Sequence, residues 1–402
     1  MSLIVQKFGG SSVADAESIQ RVAWIIAEAY SEGNNVAVVL SAQADTTDVL
    51  IEKAKELNPN PSKREMDVLL STGEQASIAL MAMALEKLGL PVVSLTGWQV
   101  GMNTDSDYGN ARIKSISAER LKAELDRRRI VLVAGFQGVN KYDDITTIGR
   151  GGSDTTAVAF AVALNADICR IYTDVEGIYT CDPRLVPGAR KLDEITYDEM
   201  IELATLGAQV LHNRSVEMAK RYGIKMEVLS SLSRKPGTIV RGTTKVEHTK
   251  ISGVAKDTNV ARIALMGVKD EPGVAFKLFR VIANAKINID IILQSIGRDY
   301  TNDISFTVAR NDMDKAAEIL EENKEVIGYL DIKKTDKIAK VSIVGAGMMS
   351  APGVAAMMFE ALYDAKINIE MISTSEIKIS VLVDEKDADR AVAAIHAKFF
   401  SV

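Results

Sequence analysis

Two stretches, PGVAFKLFRVIANAKINIDIILQS (272–295) and PGVAAMMFEALYDAKINIEMISTS (352–375), align without a gap at an offset of eighty residues. Twelve of the twenty-four positions are identical, which chance does not produce. The likeness resumes at SFTVARNDMDKA (305–316) and SVLVDEKDADRA (380–391), now seventy-five apart, so the first copy carries five extra residues in a hairpin around Gly297–Asn302. Each copy reads strand, Pro-Gly turn, helix, strand, strand, helix. Such modules stack, burying sheet faces and edges against one another. Copy one closes with YLDIKK (329–334), a fourth strand that copy two lacks before Phe399-Phe400-Ser401-Val402. KISGVAK (250–256) has strand character and no partner in the first pattern. It is expected to complete the second module, so that copy one is inserted within copy two.

Upstream, short apolar strands (Val36–Leu40, Val92–Leu95, Ile130–Ala134, Ile168–Thr173) alternate with helical stretches such as Asp67–Leu88 and Thr155–Asn165. That alternation predicts an α/β layer with a mainly parallel central sheet between helices. The pattern breaks near Arg234-Lys235-Pro236-Gly237 and RGTTKVEHTK (241–250). The expected division is 1–245 and 246–402, with the first module at about 260–335 and the second at about 250–259 plus 336–402. A net charge of -6 argues against a general nucleic-acid surface. No apolar run is read as long enough for a membrane helix, and no signal-peptide pattern opens the chain, which predicts a cytoplasmic protein. Cys169 and Cys181 cannot build a disulfide framework or a closed zinc site, and the three histidines are scattered.

Chemistry gathers in loops at strand ends, where open α/β sheets bind ligands. In QKFGGSSV (6–13) a strand meets two glycines, two serines and a helix. The turn is open to two readings: a capped strand-to-helix turn, or a phosphate cradle of backbone N–H groups beside Lys7. TIGRGGSDTTA (147–157) is a second such loop, with Arg150 and Asp154; its plain reading places Ser153 or Asp154 at a helix N-cap. GxxxxGK[ST] and the protein-kinase signatures are absent, and GAGMMS (345–350) lacks the third glycine of a dinucleotide fingerprint. Cys169 and His212 read as packing residues.

KFGGSSV, SAQADTTD (41–48), GRGGSDTTA, TDVEGIYTCDPR (173–184) and the paired modules with KINID and KINIE resemble the aspartokinase family, in order along essentially the whole chain. The resemblance implies an amino-acid kinase fold followed by two α+β ACT modules of βαββαβ type. It implies ATP-dependent phosphorylation of the aspartate β-carboxylate, the committed step toward lysine, threonine and methionine. Lys7, Phe8, Gly9, Gly10 and Ser11 would hold ATP phosphates, and Thr173, Asp174, Tyr179 and Arg184 would frame the nucleotide. Ser41, Thr47, Glu74, Arg150, Gly151, Gly152 and Ser153 would bind aspartate, with Lys7 and Asp154 catalytic and Asp154 organising the Mg²⁺ ions; no direct protein metal site is assigned. Lysine, with or without threonine, is expected to bind the ACT pair between subunits of a homo-oligomer. The expected effector residues are Asp270, Pro272, Gly273, Val274 and Ala275 with Asn288, Ile289, Asp290 and Gln294 in copy one. In copy two they are Asn368, Ile369, Ser375 and Glu376 beside Pro352-Gly353. The chain departs from the family at Gln43 and Ala44 (usually Met-Gly), Tyr108 (commonly His), Gln209 (often Lys) and Asn213 (usually Pro).

The reaction fits a site without a general base. A carboxylate nucleophile is ionised at neutral pH, so the difficulty is bringing one anion to a polyanion. Cations and N–H-rich loops answer that difficulty. Arg150 suits a substrate α-carboxylate through its planar fork, Glu74 an α-ammonium, and Thr47 a donor to a substrate oxygen. Other readings are a kinase for glutamate or acetylglutamate, or a regulatory amino-acid-binding protein without activity.

Overall fold

The computed structural model describes residues 2–206, 210–243, 251–296 and 301–400. Position 209 and most of 241–250 and of the 297–302 hairpin lie outside them. The chain divides into two compact units: 1–179 with 190–247, and 180–189 with 248–402.

In the first unit, strands β1 (Leu3–Phe8), β2 (Asn35–Leu40), β3 (Val92–Leu95), β4 (Met102–Thr104), β5 (Ile113–Ile116), β6 (Ile130–Ala134), β7 (Gln137–Val139), β8 (Ile145–Thr147), β9 (Ile168–Thr173), β10 (Glu194–Thr196), β11 (Met226–Ser230) and β12 (Thr238–Arg241) form two sheets. The large one has the order β10-β12-β11-β9-β1-β2-β6-β3, parallel except for β11–β12. A small one, β5-β4-β7-β8, carries the approach to the second glycine loop. The helices are α1 (Ala16–Ser31), α2 (Thr46–Leu57), α3 (Lys63–Lys87), α4 (Glu119–Asp126), α5 (Gly152–Leu164), α6 (Tyr197–Thr205) and α7 (Asn213–Tyr222). Strand β6 is buried throughout and β2 everywhere beyond its first residue, as strands covered on both faces must be. Strand β1 is the switch point: β2 and β9 pair with it on opposite sides. A crevice therefore opens beyond the carboxyl ends of β1, β2 and β9, which positions the site.

Two local expectations change. Residues Gly10–Val13 form a 3₁₀ turn, and α1 starts only after Asp15, whose carboxylate accepts the Ser18 N–H. The first glycine loop thus lies ahead of the helix, not at its N-terminus. At α5 the N-cap is Gly151 in the left-handed region (φ 65°), so Ser153 and Asp154 sit in the first turn instead of capping it. The membrane expectation also needs correcting, because α3, at 25 residues, is long and apolar enough to cross a bilayer. Here it lies against the sheet, with Ile78, Met81 and Leu85 in the core beside β2 and β6.

The second unit contains both repeats. The first module has β13 (Gly253–Asp257) ahead of it, then β14 (Ala261–Lys269), α8 (Val274–Asn284), β15 (Ile289–Ile296), β16 (Thr301–Val308), α9 (Met313–Glu322), the short α10 (Lys324–Ile327) and β17 (Asp331–Thr335). The second follows with β18 (Ile338–Val344), α11 (Val354–Asp364), β19 (Met371–Thr374), β20 (Lys378–Asp384) and α12 (Ala388–Phe400). The sheets run β15-β16-β14-β17 and β13-β18-β20-β19. Strand β13 pairs antiparallel with β18, in the place that β17 takes beside β14. Each module has its own core, and Val260, Ile291, Ile338, Met371 and Leu382 form a small cluster common to both.

Segment 180–189 was expected within a continuous 1–245 domain, yet it packs with the second unit. Cys181, Val186 and Ala189 join the second module's core. The Thr180 carbonyl accepts the Val254 N–H at 2.8 Å, and its hydroxyl meets His396 Nε2 at 2.9 Å. Burial pushes the Cys181 thiol up to about 11, so it behaves as a neutral apolar group. Cys181→Ser puts a hydroxyl into that core and should cost about 1–3 kcal/mol. Hydrogen exchange should speed up in β13 and α12 and stay unchanged in β1 and β2; faster exchange confined to β1 and β2 would refute this packing.

Candidate active site

A cleft of about 710 Å³ lies in the first unit, beyond the carboxyl ends of the central strands. It brings together Lys7, Gly10, Ser41, Thr47, Glu74 and the run Arg150–Asp154, which are far apart in sequence. The loops fit closely because they lack side chains where they cross. A Cβ on Gly10 would stand 2.7 Å from the Ala42 carbonyl oxygen, and one on Gly151 2.3 Å from His212 Cβ. The Ser41 N–H donates to the Phe8 carbonyl and the Ala44 N–H to that of Gly10, which ties the loop after β2 to the loop after β1.

The cations are distributed unevenly. Lys7 Nζ lies 2.7 Å from Asp154 Oδ1, and both side chains are nearly shielded from water. Arg150 is exposed and makes no hydrogen bond or ion pair with the described residues. Glu74 is 4% exposed, and among the described residues outside its own helix its donor is the Ala42 N–H at 3.2 Å. Its Oε2 is buried with no partner. Burial pushes its carboxyl up to about 7, against the smaller pull of backbone hydrogen bonds. A carboxylate held this way is complementary to a cation that enters the cleft.

Other expected residues stand elsewhere. Phe8 is fully buried, stacked on Tyr172 at 4.5 Å, and Gly9 donates to the Tyr172 carbonyl. Ser11 is exposed ahead of α1. Thr173 and Asp174, joined by a 2.9 Å hydrogen bond, end β9 on the opposite flank of β1 from β2. Tyr179 is partly buried and bridges to Lys191. Arg184 lies in the 180–189 segment of the second unit, exposed, with Nη2 2.7 Å from Asp182 Oδ2. In the repeats, Gly353, Ser375 and Glu376 line a hollow of about 390 Å³, whereas Asn368 and Ile369 do not. Gly273 is left-handed (φ 95°) and caps α8, with Pro272 and Ala275 exposed and Val274 buried. Asn288 and Gln294 are exposed at and within the edge strand β15, which starts at Ile289. Asp290 was expected to have a free carboxylate; instead it pairs with Lys340, a lysine only 3% exposed that needs a counter-charge, and Asp270 accepts from Asn302.

Sequence reasoning missed the residues that brace the second glycine loop. Arg214 donates to the carbonyls of Ile148 (2.8 Å) and Ala111 (3.2 Å), and His212 supports Gly151. Asp67 is buried and holds Gly109 and Thr147. The polar spacing Asp67, Ser71, Glu74, Ser77 within α3 was the available signal. The departures at 43 and 44 also find places: Gln43 Nε2 donates to the Val13 carbonyl, and Ala44 adopts φ 34°, where glycine is at ease.

The profile of the amino acid kinase family matches residues 2–230, and that of the ACT domain matches 263–323 and 341–399. The chain belongs to the amino acid kinase family. It is 52% identical over 405 residues to the aspartokinase of Mycolicibacterium smegmatis and 50% identical to that of Corynebacterium glutamicum, each alignment covering 99% of this chain and 96% of the relative. Among solved structures, E. coli aspartokinase III in complex with aspartate and ADP superposes with a TM-score of 0.85 at 28% identity, over 99% of this chain and 100% of that one. The same enzyme with lysine and aspartate gives 0.76, with the same identity and coverage. The expected amino-acid kinase fold with C-terminal ACT modules is thus the observed one.

Glu74 also affects stability. Its folded value is raised from an ordinary 4.5 to about 7, so the folded chain holds the proton more tightly than the unfolded chain. Stability is therefore lost as pH climbs from about 4.5 to 7, by on the order of 3 kcal/mol in total. Glu74→Gln should match wild type at pH 4.5 and be more stable at pH 8 in urea denaturation. A gain that does not grow between those pH values would contradict this account.

Proposed function

We propose that the cleft is where this chain, with the aspartokinases it resembles, transfers the γ-phosphoryl group of ATP to the β-carboxylate of L-aspartate. The product is 4-phospho-L-aspartate, at the head of lysine, threonine and methionine synthesis. The observation that carries this reading is the juxtaposition of a nearly buried lysine, two glycine loops, a free arginine and an unpartnered buried carboxylate. Arg150 takes the substrate α-carboxylate, Glu74 the α-ammonium, and Ser41, Thr47 and the Gly151–Ser153 loop the remaining oxygens. Lys7 with the N–H groups of Gly10 and Ser11 faces the phosphates, and Thr173, Asp174 and Tyr179 frame the rest of the nucleotide. Among the described residues no cluster of three metal-ligating side chains occurs, so Mg²⁺ fits as an ion carried by the phosphates with Asp154 beside it. Bound there, it supplies charge neutralisation. The catalytic part is residues 1–179 with 190–247 and the regulatory part 180–189 with 248–402, with the first ACT module at about 260–335 inside the second.

ADP release that depends on aspartate tests the assignment. Lys7→Ala and Asp154→Ala should each lower kcat by roughly 10²–10³ with folding retained. Near-normal kcat in Lys7→Ala would remove the phosphate role.

The same reading makes the ACT pair a lysine site, with or without threonine, in a cytoplasmic homo-oligomer. Edge strands β15 and β19 expose the apolar side chains Ile292 (52%), Leu293 (44%) and Ile372 (42%), and such edges suit pairing with a second copy. Effector binding at such an interface biases activity by a coupling of about 1–3 kcal/mol. Gln294→Ala is the cleaner probe, because Asp290→Ala also strips a counter-charge from buried Lys340. It should relieve inhibition by lysine and leave uninhibited turnover intact. If neither lysine nor threonine inhibits or binds wild type by calorimetry, the regulatory assignment fails.

A further inference from the structure

Helix α3 presents two buried carboxylates to the cleft, and they are engaged differently. Asp67 Oδ2 accepts the Gly109 N–H at 3.0 Å and the Thr147 N–H at 2.9 Å, and its Oδ1 accepts the Thr147 hydroxyl at 2.7 Å. Both oxygens of Asp67 are therefore occupied. Glu74, two turns along the same face, keeps one oxygen without a partner. A desolvated carboxylate is costly, the more so in the wall of a cleft that receives anions. Asp67 is 1% exposed, and burial raises its carboxyl despite the three donors. Its contribution therefore lies in what it holds.

Thr147 ends β8, three residues before Arg150. Gly109 belongs to the loop on which Gly149 rests: a Cβ at Gly149 would stand 3.0 Å from Asn110 Oδ1 and 3.2 Å from the Gly109 carbonyl oxygen. One carboxylate thus pins both the strand that feeds the arginine loop and the turn beneath that loop to the helix that carries Glu74. No other side chain in the cleft spans those three elements by hydrogen bonds among the described residues.

We infer that Asp67 is a positioning residue that sets the separation of Glu74 and Arg150, and so the fit of an α-amino acid held by its ammonium and its carboxylate. This rests on the roles given to Glu74 and Arg150 above. It predicts a defect in one substrate only. The braced loop meets the amino acid, whereas the residues assigned to the nucleotide stand after β1 and β9.

The test compares Asp67→Asn, Thr147→Val and the double variant in the full chain by steady-state kinetics and thermal unfolding, with Glu74→Gln as reference. Asp67→Asn should raise the aspartate KM about tenfold and leave the ATP KM within about twofold. Thr147→Val should act in the same direction, about threefold, and the double variant should be no worse than Asp67→Asn alone, because both remove one linkage. An unchanged aspartate KM, or aspartate and ATP KM rising together, overturns the inference. If Asp67→Asn does not fold, the same split in Thr147→Val decides. An unaltered aspartate KM in Glu74→Gln instead removes the ammonium assignment, and the Asp67→Asn result is read separately from it.

Discussion

Lys7 and Asp154 meet at 2.7 Å where β1 and α5 converge, and the rest of the catalytic unit is arranged around that contact. A buried ion pair roughly breaks even against its desolvation cost, so it is not what holds the unit together. It persists because β1 is locked on both sides by parallel partners and because α5 is buried through most of its length. The pair holds the lysine in one orientation in a region largely closed to water. A polyanion entering there meets a cation already desolvated, and a carboxylate stands ready to share the opposite charge. Preorganisation of this kind is what phosphoryl transfer requires of a protein.

Much of this arrangement was legible in the residues. Strands β1, β2, β3, β6 and β9 of the large sheet could be read because they are mainly apolar runs ended by small or polar residues, whereas β10, β11 and β12 were not read. The duplicated module could be read from its eighty-residue offset, and the unpaired KISGVAK stretch pointed to β13 because a fourth strand was missing from one copy and not the other. Ten of the expected catalytic-unit residues line one cleft, contributed by β1 itself, by the loops after β1, β2 and β8 and by helices α2, α3 and α5.

What stayed hidden depends on long-range packing. Nothing in TCDPRLVPGA shows that Cys181 and Val186 belong to a core built more than sixty residues later. Asp290 looked like a free carboxylate because its partner, Lys340, lies in the other module. Asp67 carries no motif, and its donors come from positions 109 and 147. The helix starts were misplaced for a local reason. Glycines and serines suit both an N-cap and a 3₁₀ turn, and only the left-handed backbone at Gly151 and the Asp15 cap separate the two.

The two carboxylates of α3 show how a cleft for anions can tolerate acidic walls. Asp67 meets three donors, so its charge is spent inside the protein and projects little into the cleft. Glu74 meets one and carries a carboxyl raised to about 7, so near neutral pH it is partly protonated while no cation is present. A nucleotide approaching an empty site therefore faces less repulsion than two ionised acids would give. When an ammonium docks, Coulomb attraction draws the Glu74 carboxyl back down and its charge appears only where a cation neutralises it. With the ammonium role proposed for Glu74, the same desolvation that weakens the empty fold would select an amino acid over a simple dicarboxylate. A dicarboxylate without the ammonium would leave Glu74 either protonated or facing a like charge.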